Sequence, residues 1–155
     1  MRLSEAPGAF KQLRNKHWKF QLTFHTPFDD LQRFVTTILS ADADIHSASV
    51  TIYDVVFDPT HLVEVLKSHS IVPGWPKRGT SFVAANQQEV EVLLCAVLAD
   101  WIDFVFAPEP GPFLIYADHH GYATFYAARK SNLNRVTGPL AVQGFQVIRD
   151  FQRQF

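Results

Sequence analysis

Between positions 18 and 24 the apolar side chains fall on every second residue: Trp18, Phe20, Leu22 and Phe24. That period predicts a strand buried on one face. Beyond Thr26-Pro27 the spacing changes to three and four. Phe28, Leu31, Phe34 with Val35, and Ile38 with Leu39 form the buried stripe of an amphipathic helix. Residues 48–57 are β-branched and aromatic and read as a central strand. Asp58-Pro59 supplies an N-cap and a first-turn proline for a short helix carrying Leu62, Val65 and Leu66. Residues 71–80 hold two prolines and two glycines and predict an irregular loop, with a short strand over 80–84.

Asn86 followed three residues later by Glu89 opens a helix over 87–99. Val90, Leu93, Leu94, Val97 and Leu98 make it apolar round much of its surface, so it should be the most buried helix. A strand over 102–107 and a proline-rich turn over 108–112 follow. Then comes a hairpin of 113–117 and 123–127 around Asp118-His119-His120-Gly121-Tyr122. Ser131 can cap a last helix carrying Leu133, Val136 and Leu140, which Gly138-Pro139 should break or kink and Gly144 should stop. Phe145, Val147, Arg149, Phe151, Arg153 and Phe155 alternate as a closing strand. Strands that follow one another without a helix between them point to an α+β fold. The expectation is a single domain over 17–155, its sheet mixed or mostly antiparallel, with about four helices packed mainly on one face. Residues 1–16 mix proline, glycine and polar groups and read as a loosely ordered N-terminal arm or a short helix.

A chain of 155 residues suits one such domain, and 14 phenylalanines indicate a core built on rings. Lys and Arg total 14 against 15 Asp and Glu. That balance offers no global field for nucleic acid or an anionic membrane. The longest apolar run, Val92 to Ala99, is far short of the roughly 18–20 residues that span a bilayer. The opening residues carry an early acid and no apolar run, unlike a secretory signal. A single cysteine excludes an internal disulfide and a Cys-x-x-Cys zinc cluster, and a reducing, cytoplasmic setting is expected. That cysteine, Cys95, sits in the apolar helix and reads as a core residue.

Seven histidines raise the question of a metal. His17 and His25 lie about 26 Å apart if they share a straight strand. His61 and His69 lie about 12 Å apart on one helix. Neither pair can hold one ion. The hairpin tip gathers a carboxylate, two imidazoles and a phenol, so Asp118, His119, His120 and Tyr122 are the catalytic candidates. His119 and His120 are also the metal-ligand candidates, with a further ligand needed from elsewhere. Asp100 and Asp103 bracket Trp101 and read equally as a carboxylate pair or a helix-to-strand turn.

Two other segments invite ligands. Trp75, Lys77 and Arg78 sit in the proline-glycine loop, where an aromatic held between prolines beside two cations suits recognition of a partner protein. Lys130, Ser131, Asn132 and Arg135 open the last helix with cations and no acid, an arrangement that a bound anion would explain. No complete catalytic motif accompanies them. The leading expectation is therefore a small non-catalytic binding or regulatory module acting on another protein, in the manner of an inhibitor or immunity protein. It carries no cofactor, no membrane partner and no nucleic acid. The alternative is a small-ligand or divalent-metal enzyme using the hairpin tip, with its anion site at the Ser131 helix start. The closing strand, if it lies at an edge, would allow a homodimer.

Overall fold

The computed structural model describes residues 1–4, 10–14, 17–42, 44–71 and 76–154. Along the chain the elements are β1 (Arg2–Ser4), α1 (Phe10–Leu13), β2 (Phe20–His25), α2 (Leu31–Ser40), β3 (Ser47–Asp54), α3 (Thr60–Ser68), β4 (Ser81–Ala84), α4 (Gln87–Ala99), β5 (Asp103–Glu109), β6 (Leu114–Ala117), β7 (Tyr122–Ala127), α5 (Lys130–Val142) and β8 (Val147–Ile148). All eight strands join one sheet in the order β1-β4-β3-β5-β6-β7-β2-β8. Every neighbouring pair is antiparallel. The fold is α+β, with the four longer helices packed against the sheet.

Strand alternation sorts the side chains onto two unlike faces. One face is apolar: Phe24, Val50, Ile52, Phe82, Phe104, Phe106, Ile115 and Phe125 are buried against the helices in one core. Helix α4 lies at its centre, between α2 and α3 and over β3 and β4. It is buried along most of its length, as its apolar surface requires. The opposite face is polar and aromatic. The registers of the paired strands place Ser81, Thr51, Val105, Tyr116, Thr124 and Thr23 in one row across it. Four buried hydroxyls in this row pair with one another: Thr51 with Ser81 at 2.8 Å, and Thr23 with Thr124 at 2.8 Å. Leu13 of α1, Trp18 and Tyr53 pack there with Val105, Tyr116 and Tyr126 as a second, smaller cluster.

Several local expectations are corrected. Arg2–Ser4 are no loose arm: they pair with β4 as an edge strand, and the Met1 ammonium meets Glu89 at 2.9 Å. The Asn86–Glu89 start of α4 forms as expected, Asn86 accepting from the Glu89 amide at 2.9 Å. The Glu89 carboxylate reaches past it to the Ala85 amide at 2.7 Å. Helix α3 begins after Pro59, not Asp58. Its cap comes from another element. Asp100 accepts from the backbone of His61 at 3.1 Å and of Leu62 at 2.7 Å, placing a carboxylate at the positive end of the helix.

Helix α5 is capped by Arg129 without a side-chain bond, so Ser131 lies inside its first turn. Pro139 neither breaks nor stops it. Arg135 and Pro139 are both exposed, so the hydrogen bond that proline removes falls on the solvent side. Gly144, at φ +89°, ends the turn beyond Val142 as expected. The closing strand is only Val147–Ile148, paired with β2. Asp150 at φ +64° then redirects the chain, so the long aromatic edge strand that would invite a homodimer does not form over 145–154. No helix among the described residues is long and apolar enough to cross a membrane.

The borrowed cap gives a direct test of this architecture. Replacing Asp100 with Ala leaves two helix-start N–H groups without their acceptor and should cost about 1–3 kcal/mol, seen as a lower urea midpoint. Asp100→Asn retains an acceptor oxygen and should lose less. A change below about 0.5 kcal/mol in the alanine variant would show that α3 does not depend on this cap.

Candidate functional site

The hairpin tip keeps its four candidates within one turn but commits them to different partners. Asp118 Oδ1 accepts from the amides of His120 at 2.9 Å and Tyr122 at 3.1 Å, the work of a turn-forming aspartate. Its Oδ2 pairs with Arg153 at 2.9 Å. His119 turns the other way: its amide donates to Asp103 Oδ1 at 2.6 Å, and its Nδ1 lies 2.8 Å from the same oxygen. His120 is exposed, its ring 4.1 Å from that of His119. Tyr122 lies between the rings of His25 and Phe151. Among the described residues no three His, Cys, Asp or Glu side chains are grouped to hold a metal ion.

The other two candidate segments lie elsewhere on the molecule. Lys130, Ser131 and Arg135 are exposed on the first turns of α5, with Asn132 half-buried beside them. Trp75 lies outside the described residues. Lys77 and Arg78 are both exposed, the Arg78 guanidinium lying over the Tyr53 ring at 4.1 Å on the polar face of the sheet. Cys95 is half-buried rather than fully in the core. It faces a groove of about 390 Å³ between α2, α3 and α4, alongside Leu31, Val65 and Val92.

The structure instead assembles an aromatic surface around Trp101, at the junction of α4 and β5. The Trp101 amide donates to Leu98 O and the Ile102 amide to Val97 O, the paired bonds of a Schellman helix end. The residue at the turning point of that motif must be left-handed, and Trp101 has φ +58°. Glycine is usual there, because a side chain in this region costs about 1–2 kcal/mol. The Trp101 ring is stacked on Phe28, with centroids 3.6 Å apart and planes 8° from parallel. The edge-on ring of Phe57 stands 6.2 Å away. Trp101 is 38 % exposed, Phe57 53 % and Val56 46 %. Gly121 of the hairpin tip approaches Phe28 so closely that a Cβ would lie 3.3 Å from its ring.

Two Asp–His pairs are anchored at the residues on either side of Trp101 in the chain. His61, exposed, places Nδ1 2.7 Å from buried Asp100, and His119 does the same with Asp103 on the other side of Trp101. In each pair the aspartate also accepts backbone amides, so one carboxylate fixes both a turn and an imidazole. The Asp100–Asp103 bracket is thus two separate anchors, not a shared-proton pair. The sequence signal for the surface is a helix end with neither Gly nor Asn in the turning position. No family model matches the chain, and no curated protein or solved structure is detectably similar to it.

Burial, with Glu91 adding its charge, pushes the Cys95 thiol up to about 11. Fewer thiolates at pH 8, partly offset by their greater nucleophilicity, should make its alkylation about 10-fold slower than that of a small free thiol. Timed reaction with iodoacetamide checks this. A rate equal to that of glutathione would contradict the burial of the thiol.

Proposed function

We propose that the protein is a small non-catalytic binding module that docks on another protein through Trp101, Phe57 and Phe28. One observation carries the reading: a large aromatic is retained, half-exposed, at a backbone position that favours glycine. Strain of this kind persists where it serves a function. The stack on Phe28 holds the Trp101 ring in place, so little entropy remains to be lost on binding. Tryptophan is among the side chains most enriched at the energetic centres of interfaces. The oriented imidazoles of His61 and His119 supply a polar rim. An inhibitor-like or immunity-like role in the cytoplasm fits this build.

A second reading rests on the Asp103–His119 pair, which orients an imidazole as a general base requires. Among the described residues no hydroxyl or thiol is hydrogen-bonded to the other ring nitrogen, so the docking reading is favoured.

The test is capture of a partner by the tagged full chain from lysate of its source organism. Wild type, Trp101→Ala, His119→Ala and Arg78→Ala run in parallel. A stoichiometric protein partner should be retained by wild type and Arg78→Ala. Trp101→Ala should weaken its binding by about 2 kcal/mol or more. Undiminished binding by Trp101→Ala would overturn the docking surface. Loss only in His119→Ala would favour the second reading.

A further inference from the structure

The polar face of the sheet contains a pocket that already has an occupant. Beyond β8 the chain turns at Asp150 and lays residues 151–154 back across β2 and β7. Arg153 enters the sheet there, its side chain only 13 % exposed. Each arm of its guanidinium meets a different acceptor. Nη1 pairs with Asp118 Oδ2 at 2.9 Å. Nε donates to Thr124 Oγ1 at 3.2 Å, and Nη2 to the Tyr122 carbonyl at 3.4 Å. The Tyr116 ring lies 4.5 Å below the guanidinium carbon. These acceptors stand apart in a fixed fork. An ammonium could satisfy the carboxylate but not all three groups while lying flat on the tyrosine.

The backbone of the occupant is recognised as well. Gln21 of β2 accepts from the Arg153 amide at 2.9 Å and donates to the Arg153 carbonyl at 3.2 Å. A side-chain amide clasping both groups of one residue reads an extended peptide, not a free guanidinium. Everything that does the recognising belongs to the sheet and its tip: Gln21, Tyr116, Asp118, Tyr122 and Thr124. The occupant belongs to a segment without regular structure, attached through a two-residue strand and flanked by exposed Gln152 and Gln154.

We infer that this pocket is a binding site for an arginyl residue of an extended peptide, and that Arg153 fills it as a displaceable internal ligand. A partner bearing an arginine in an extended segment competes with Arg153 for the fork of Asp118 and Thr124 and for the Gln21 clasp. The site is separate from the Trp101 surface and does not depend on the docking reading.

The probe is acetyl-Gln-Arg-Gln-amide, a copy of residues 152–154, titrated into the full chain followed by amide NMR, with acetyl-Gln-Lys-Gln-amide as control. Arg153→Ala empties the pocket. It should bind the arginyl peptide about 10-fold or more tighter than wild type, in which the competent state is scarce. Shifts should centre on the Gln21 side-chain amide and on Tyr122 and Thr124, and the lysyl peptide should bind at least about 10-fold more weakly. Arg153→Lys, which keeps a charge beside Asp118, is measured alongside so that a collapse of the alanine variant does not decide the matter. It too should bind the arginyl peptide more tightly than wild type. Adding Trp101→Ala to either variant should leave the peptide affinity unchanged. Equal affinity in wild type and both variants, or equal affinity for the arginyl and lysyl peptides, would overturn the site.

Discussion

At the junction of α4 and β5 four residues tie down one end of the sheet. Asp100 caps α3 with both carboxylate oxygens and holds His61. Trp101 makes the left-handed turn. Ile102, buried, closes the helix end by reaching back to Val97. Asp103 starts β5 and fixes the hairpin tip through His119. Three elements far apart in sequence therefore depend on one joint for their relative positions. Because the joint is built from buried charges meeting backbone N–H groups, each aspartate is satisfied in place and costly to move. The exposed aromatic at its centre is held by the same constraint, so the Trp101 ring has a defined direction.

The rest of the molecule follows from the contrast between the two sheet faces. The helix-covered face is phenylalanine-rich and needs no polar accounting. The other face buries threonines, Tyr116 and Tyr126, and the carboxylates of Asp103 and Asp118, polar groups that are costly to leave without a partner. Hydroxyls pair across strands, Arg78 stacks on Tyr53, and Arg153 answers Asp118. The tyrosines also feel this face: burial pushes the Tyr116 and Tyr126 phenols well above their ordinary range. At any physiological pH both phenols are neutral.

Much of the fold was legible because it is written in local periods. The alternation at Trp18–Phe24, the stripe through Phe34 and Ile38, and the Asn86–Glu89 start of α4 each need only a few neighbouring residues. With similar local cues elsewhere in the chain they give the element order from β2 to β8. What failed depends on residues distant in sequence. The α3 cap comes from Asp100, some forty positions beyond the helix it starts, so Asp58 looked like the natural choice. The closing alternation from Phe145 to Phe155 suggests a strand, but Asp118 and Gln21 draw Arg153 across the sheet after only two paired residues.

The candidate site was harder to read for the same reason. Asp118 stands on a hairpin tip that is plain in the sequence, yet its role as the partner of Arg153 depends on strand register. Trp101 follows the most apolar helix, where an aromatic reads naturally as core. Only the hydrogen bonds of the helix end show that it occupies a left-handed position. Phe28 and Phe57 come from two other segments, and nothing in either segment alone points to the shared stack.

Trp101 holds a half-exposed ring at a backbone position that favours glycine. The measurement that bears on it most directly is the unfolding free energy of Trp101→Gly. Glycine relieves the left-handed strain, and that gain should offset the lost stack on Phe28, leaving stability within about 1 kcal/mol of wild type or above it. A loss of about 3 kcal/mol or more, the size expected for removing a core aromatic, would instead make Trp101 a packing residue.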